Sequence, residues 1–111
     1  MTDAHATYYV VTRAPGERWD AARAMREQEG WDEHAAFMDN LVEEGTIVVA
    51  GPLDGGPKVL LIFAAESEDE IETRLAQDPW TRSGQLTTDS IVPWELRLGR
   101  DVFSRTAGAK H

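Results

Sequence analysis

Residues 31–53 read WDEHAAFMDNLVEEGTIVVAGPL, and the fold follows from how this stretch is read. Phe37, Met38, Leu41 and Val42 follow the i, i+3, i+4, i+7 rhythm of one helix face. His34 precedes Phe37 by three positions and Leu41 by seven, so it shares that face. Gly45 predicts the end of the helix, because glycine alone enters the left-handed C′ conformation without a Cβ penalty. A β-branched strand, residues 46–50, and a Gly-Pro turn come next. An ionisable ring on an inward face near a helix start is the sharpest chemical feature of the chain. Such a ring serves either as a hydrogen-bonded core residue or as a catalyst, and spacing alone does not choose.

Working outward, TYYVVTR at residues 7–13 has the composition of a strand, and Pro15-Gly16 breaks it. Trp19, Ala22 and Met25 are spaced by three, which predicts a short helix within residues 18–29, set off by Gly30. This segment reads as a lid, a pocket wall or a solvated connection. After the second strand, PLDGGP at residues 52–57 is a hairpin turn, and VLLIFA at residues 59–64 is the third strand. Ser67 and Glu70 form a capping box for a helix running to about Gln77, with Ile71 and Leu75 inward. Asp78-Pro79 closes it, since a residue before proline is pushed out of the α region. Residues 79–89 read as a connection and residues 91–98, IVPWELRL, as the last strand, with Trp94, Leu96 and Leu98 alternating. Pro93 places that strand at a sheet edge or bulge. Residues 104–111 are expected to be a flexible tail.

The order β-α-β-β-α-β is the ferredoxin-like α+β plan, with strand order 4-1-3-2 and both helices on one face of an antiparallel sheet. The other face should be polar if it meets water. IVVA and VLLIFA lack polar alternate positions, so something must cover it. A second copy of the same sheet is the economical candidate, giving a homodimer. The alternative is a monomer whose 15–30 segment and C-terminus fold under the sheet. Leu61 is the natural position for a charged test substitution, provided its side chain faces the partner.

The 111 residues suit one domain with its core at about residues 7–98. Such a chain buries roughly 65% of its unfolded surface. The net charge of −9, without a basic patch or basic helix, argues against nucleic acid and anionic membrane as partners. Acidic residues bunch at 66–72 and 27–33, where they solvate helix faces. There is no cysteine, no signal-peptide pattern and no apolar run of membrane-spanning length, which fits a reducing cytoplasm. No cofactor or metal is expected: the histidines at 5, 34 and 111 lack ligand spacing, and neither a Walker loop nor a dinucleotide fingerprint is present.

The topology brings distant residues together. With strand one running up, the upper rim collects residues 31–34, 51–53, 78–80 and 90–94. His34 and Asp78 thus arrive at one rim, and a carboxylate is a standard partner for fixing an imidazole tautomer. A helix N-terminus disfavours the imidazolium, and a helix C-terminus disfavours the Asp78 anion, so pairing offsets both effects. Asp78 alone also reads as a turn residue bonding the backbone around Pro79. Trp31, Trp80 and Trp94 are candidates for walling an apolar site, Gly51 and Pro52 for its floor, and Gln28 for a polar ligand contact.

WDEHAAFM, LVEEG, AGPL, the DGGP hairpin, DPW and a closing strand with PW together resemble the YCII-related (YciI-like) family over about residues 7–98. The resemblance implies a dimeric α+β barrel and matches His34 and Asp78 to the family's active-site pair. The 15–30 segment is longer than in the shortest members. Related dimeric barrels include isomerases, dehydrohalogenases, cyclases, monooxygenases and noncatalytic ligand binders. Three functions are therefore carried forward: proton transfer by a His-Asp pair in isomerase- or lyase-type chemistry on a small substrate, noncatalytic ligand binding or regulation by a dimer, and a cofactor-free monooxygenase.

Overall fold

The computed structural model describes residues 7–103. Its elements are β1 (Thr7–Pro15), a single 3-10 turn (Met25–Glu27), α1 (Trp31–Glu43), β2 (Ile47–Pro52), β3 (Val59–Ala65), α2 (Glu68–Leu75), α3 (Pro79–Ser83) and β4 (Leu86–Trp94). The strands form one antiparallel sheet in the order β2-β3-β1-β4, as the ferredoxin-like plan requires. The flexible tail expected at residues 104–111 lies outside the described residues. No helix among the described residues is long and apolar enough to cross a membrane.

The two long helices end and begin as their sequences dictate. Gly45 adopts φ 85°, and the Thr46 and Gly45 amides donate back to the Leu41 and Val42 carbonyls, both at 3.0 Å, closing α1. Ser67 Oγ accepts from the Glu70 amide at 3.1 Å, while the Glu70 carboxylate accepts from the Glu66 amide at 2.9 Å. The box is thus reciprocal, but its return bond lands one residue early. Asp78 has ψ 127°, the extended conformation that Pro79 imposes.

The core lies between the sheet and the helices and contains Tyr9, Val11, Leu41, Ile47, Leu61, Phe63, Ile71 and Leu75. Burying each large side chain contributes about 1.5–3 kcal/mol relative to exposure. Phe37 and Met38 pack against this cluster. Val42 does not, being 41% exposed at the margin of the α1 stripe. Leu61 faces the helices and is fully buried, so it is no position for testing contact with a partner.

Three sequence expectations are corrected. The helix expected in residues 18–29 shrinks to one 3-10 turn, because Asp20 turns its carboxylate onto the Ala22 amide (3.0 Å) and competes with helical bonding. Residues 79–89 are not a loop: Asp78, Pro79 and Gly84 cap and bound α3, and β4 already begins at Leu86. β4 ends at Trp94, which pairs with Tyr8 in the last rung with β1 among the described residues. Leu98 is therefore 91% exposed rather than inward. The polar run Thr87 to Ser90 suits an edge strand, and Pro93 lies on that edge as expected; Pro52 closes the opposite edge strand, β2.

The sheet face away from the helices is apolar across its whole width. Val49, Ile62, Val10 and Val92 stand side by side on β2, β3, β1 and β4, with Val49 45% and Val92 51% exposed. At one corner the chain covers itself: the Phe103 ring lies 5.3 Å from Tyr8 and 6.0 Å from Trp94.

Candidate active site

Three elements meet at the site. Strand alternation turns Tyr9, Val11 and Arg13 of β1 toward the helices, so the last of them brings a guanidinium under the helix layer. His34 comes from the first turn of α1, and Asp78 is the residue before α3. His34 Nδ1 lies 2.9 Å from Asp78 Oδ1 and 3.0 Å from Oδ2. Arg13 Nη1 donates to Asp78 Oδ2 at 2.7 Å, and its Nη2 donates to Thr81 Oγ1. The side chains of Arg13 and Asp78 are 1% and 0% exposed, and that of His34 is 8%.

Asp78 is not the C-terminal anion expected from sequence. It caps the N-terminus of α3, and its Oδ1 accepts the Trp80 amide at 3.0 Å. Burial pushes its carboxyl upward, but the bonds from His34, the Trp80 amide and Arg13 outweigh that and hold it below its ordinary value. Burial also lowers the Arg13 pKa, with Asp78 opposing. A carboxylate anion only accepts, so the His34 nitrogen facing it carries the proton. Among the described residues Arg13 Nε is the one fully buried side-chain nitrogen or oxygen without a partner. His34 Nε2 has no hydrogen-bond partner among the described residues either, and it is not among their fully buried unpartnered atoms.

Aromatic rings fix the imidazole plane. Trp80 is stacked on His34 with centroids 4.0 Å apart and planes 9° apart. Trp31 lies 5.8 Å from His34 and 5.7 Å from Trp80, and the edge of Trp19 meets Trp80 at 5.9 Å. Trp80 Nε1 donates to the Glu29 carbonyl at 2.9 Å, which also accepts from Gln85 Nε2 at 2.8 Å. A cleft of about 520 Å³ runs along Trp80, lined also by Arg18, Glu29, Glu33 and Gln85.

His34, Asp78, Trp80 and Trp31 therefore come together, whereas the other candidates do not. Gln28 is buried, and its amide is committed to the backbone: Oε1 accepts from the Asp20 amide, and Nε2 donates to the Asp20 and Arg23 carbonyls. It staples the segment before α1 and has no N–H left for a ligand. Gly51 and Pro52 pair with Leu60 and Val59 on the outer strand β2. Pro52 shares a rung with Val59 and Arg13, so the rim is common, but the bonded cluster lies on the helix side. Trp94 stands at the far end of β4, opposite Tyr8. Arg13 and Thr81 were missed. The signal for Arg13 was the alternation of TYYVVTR, which puts a cation on the inward face at the upper end of β1.

The sequence pattern of the YCII-related domain matches residues 7–95. The chain belongs to the YCII-related family. No curated protein matches this YCII-related chain significantly. Among solved structures it is similar to 5-chloro-2-hydroxyhydroquinone dehydrochlorinase (TftG) from Burkholderia phenoliruptrix AC1100, in complex with 2,5-dihydroxybenzoquinone. The two are 23% identical, the match covers 85% of this chain and 97% of that one, and the TM-score is 0.51. At that identity the likeness concerns the fold, which the YCII-related chain shares over nearly the whole of its neighbour.

Proposed function

We propose that this YCII-related protein is a small-molecule enzyme in which His34 moves a proton at Nε2 while Asp78 orients the ring. The observation that carries this reading is the division of labour between the two ring nitrogens. Nδ1 is held by a buried, well-bonded carboxylate, and Nε2 has no partner among the described residues. An imidazole so arranged can take and return a proton at its unbonded nitrogen, as general acid–base catalysis requires. The substrate class is a small cyclic or enolisable compound. His34 takes a proton from carbon beside a carbonyl, the electron pair enters a new double bond, and either a leaving group departs or the proton returns elsewhere. Trp31 and Trp80 give the site its aromatic wall. The dehydrochlorinase activity and the quinone named for the TftG structure are of this class.

Two copies pair through this sheet face in this proposal, since the row from Val49 to Val92 is apolar and its two ends are 45% and 51% exposed. A second reading, noncatalytic ligand binding by the same dimer, is favoured by the low exposure of His34, 6%. His34→Asn is the test. It removes the proton-exchanging nitrogen and should abolish turnover in a screen of enolisable and halogenated cyclic substrates while keeping the dimer. Loss of stability without any change in turnover or ligand binding would reject the enzyme. Retained ligand binding with no turnover in the wild type would select the second reading.

A further inference from the structure

Arg13 stands behind the His34–Asp78 pair rather than beside it. Its Nη1 meets Asp78 Oδ2 at 2.7 Å, and the same oxygen lies 3.0 Å from His34 Nδ1. One buried carboxylate thus serves two positively charged or protonated partners. Thr81 Oγ1 receives the second arm of the guanidinium and fixes its plane. A lysine ammonium would make no such fork. With the ring neutral, Arg13 and Asp78 cancel each other in a dry site. A second proton on the ring would leave one uncompensated positive charge among Trp31, Trp80 and the core, where charge is poorly screened. The charged groups on the elements packed here are Glu29, Glu33 and Arg18 along the cleft beside Trp80, Asp32 on α1 and Arg82 on α3, all exposed, with Arg26 5.9 Å from the Trp31 ring. Water screens these, so the buried arginine is the main counterweight to Asp78.

We propose that Arg13 is a positioning residue that acts on His34 through Asp78, tempering the carboxylate's hold on a second ring proton so that Nε2 releases and accepts protons readily. The inference extends the proton-transfer reading above, but its readout needs no substrate. Nitrogen-15 NMR of the imidazole in the full chain, with His34 assigned by its loss in His34→Gln, follows the ring's protonation. Arg13→Met should raise the protonation midpoint by about one pH unit or more, because Asp78 then faces the ring alone. Arg13→Lys, which keeps the charge but not the fork, should move it less. Midpoints unchanged in both variants, with only the melting temperature lowered, would overturn the proposal. Should Arg13→Met fail to fold, the wild type still decides: the Arg13 guanidinium resonances should shift at the His34 midpoint, and a flat Arg13 trace through that midpoint would overturn it. An unsuccessful substrate screen would count against the enzyme and leave these midpoints standing, so the two failures are distinct.

Discussion

Trp80 touches both members of the His34–Asp78 pair. Its indole lies flat on the imidazole at 4.0 Å, and its backbone amide donates to Asp78 Oδ1 at 3.0 Å. The residue that holds the carboxylate therefore also sets the plane of the ring that the carboxylate orients. The pair is thus held from two sides, the kind of preorganisation that the proposed proton-transfer role needs.

Truncation of Trp80 should separate these contributions. Trp80→Ala removes a side chain that is 1% exposed and should cost about 3–5 kcal/mol in denaturant unfolding. Trp80→Phe keeps a ring over His34 and loses the bond from Nε1 to the Glu29 carbonyl, at a cost of about 1–3 kcal/mol. Equal losses in the two variants would mean that the stacked ring contributes nothing of its own.

The Asp78 carboxyl gives acid stability a definite sign. Its folded pKa lies below the ordinary 3.8, so the unfolded chain takes up this proton first as pH falls. Its contribution is complete above the unfolded value and is lost as pH drops through the folded one. Asp78→Asn should cost about 3–5 kcal/mol at neutral pH, because Arg13 is left as an uncompensated buried charge. Urea titrations at several pH values should show that cost shrinking in acid below about pH 4. A difference independent of pH down to the acid transition would mean that Asp78 is already neutral in the folded protein.

Substitution on the open sheet face should control assembly. Wild-type protein is expected to scatter light as a dimer, at about twice the chain mass of 12.4 kDa. Val92→Lys, at the β4 end of the apolar row and 51% exposed, should give a folded monomer with an unchanged circular dichroism spectrum. A monomeric wild type would remove the sheet-to-sheet pairing altogether.

Gly16 offers a test of the segment before α1. A Cβ built there would sit 2.3 Å from the Gly84 carbonyl oxygen, because the Gly16 amide bonds the Gln85 carbonyl across the same close approach. Gly16→Ala should therefore force two backbones apart, at about 1–3 kcal/mol in thermal or denaturant unfolding. A neutral substitution would mean that this segment moves freely away from α3.

The long elements were legible because they obey strong periodicities. The α1 stripe, the Gly45 stop, the Ser67 cap and the apolar strands led directly to the sheet order. β4 was misplaced for a physical reason: an edge strand can be polar, so the Thr87 to Ser90 run carried no apolar signal and read as a loop. The His34–Asp78 pair followed from topology. Arg13 did not, although its alternation with Tyr9 and Val11 was visible, because an arginine at a strand end ordinarily reaches water. Gln28 misled for the opposite reason, since a glutamine that satisfies local backbone cannot be told by sequence from one that awaits a ligand. The orientation of Trp80 depends on three tryptophans packing together, and no local pattern encodes that.

Pro52 and Pro93 lie on opposite outer strands of the sheet. A strand added alongside either edge would meet a residue with no N–H to share and a locally fixed backbone. Lateral growth, the route to ribbons and fibrils, is thus discouraged on both sides. In the proposed dimer, contact between copies falls instead on the broad face carrying Val10 and Val92, where a single pairing uses up the available surface. Such an assembly stops at a finite size, so a chain with an open greasy sheet can remain dissolved at high concentration.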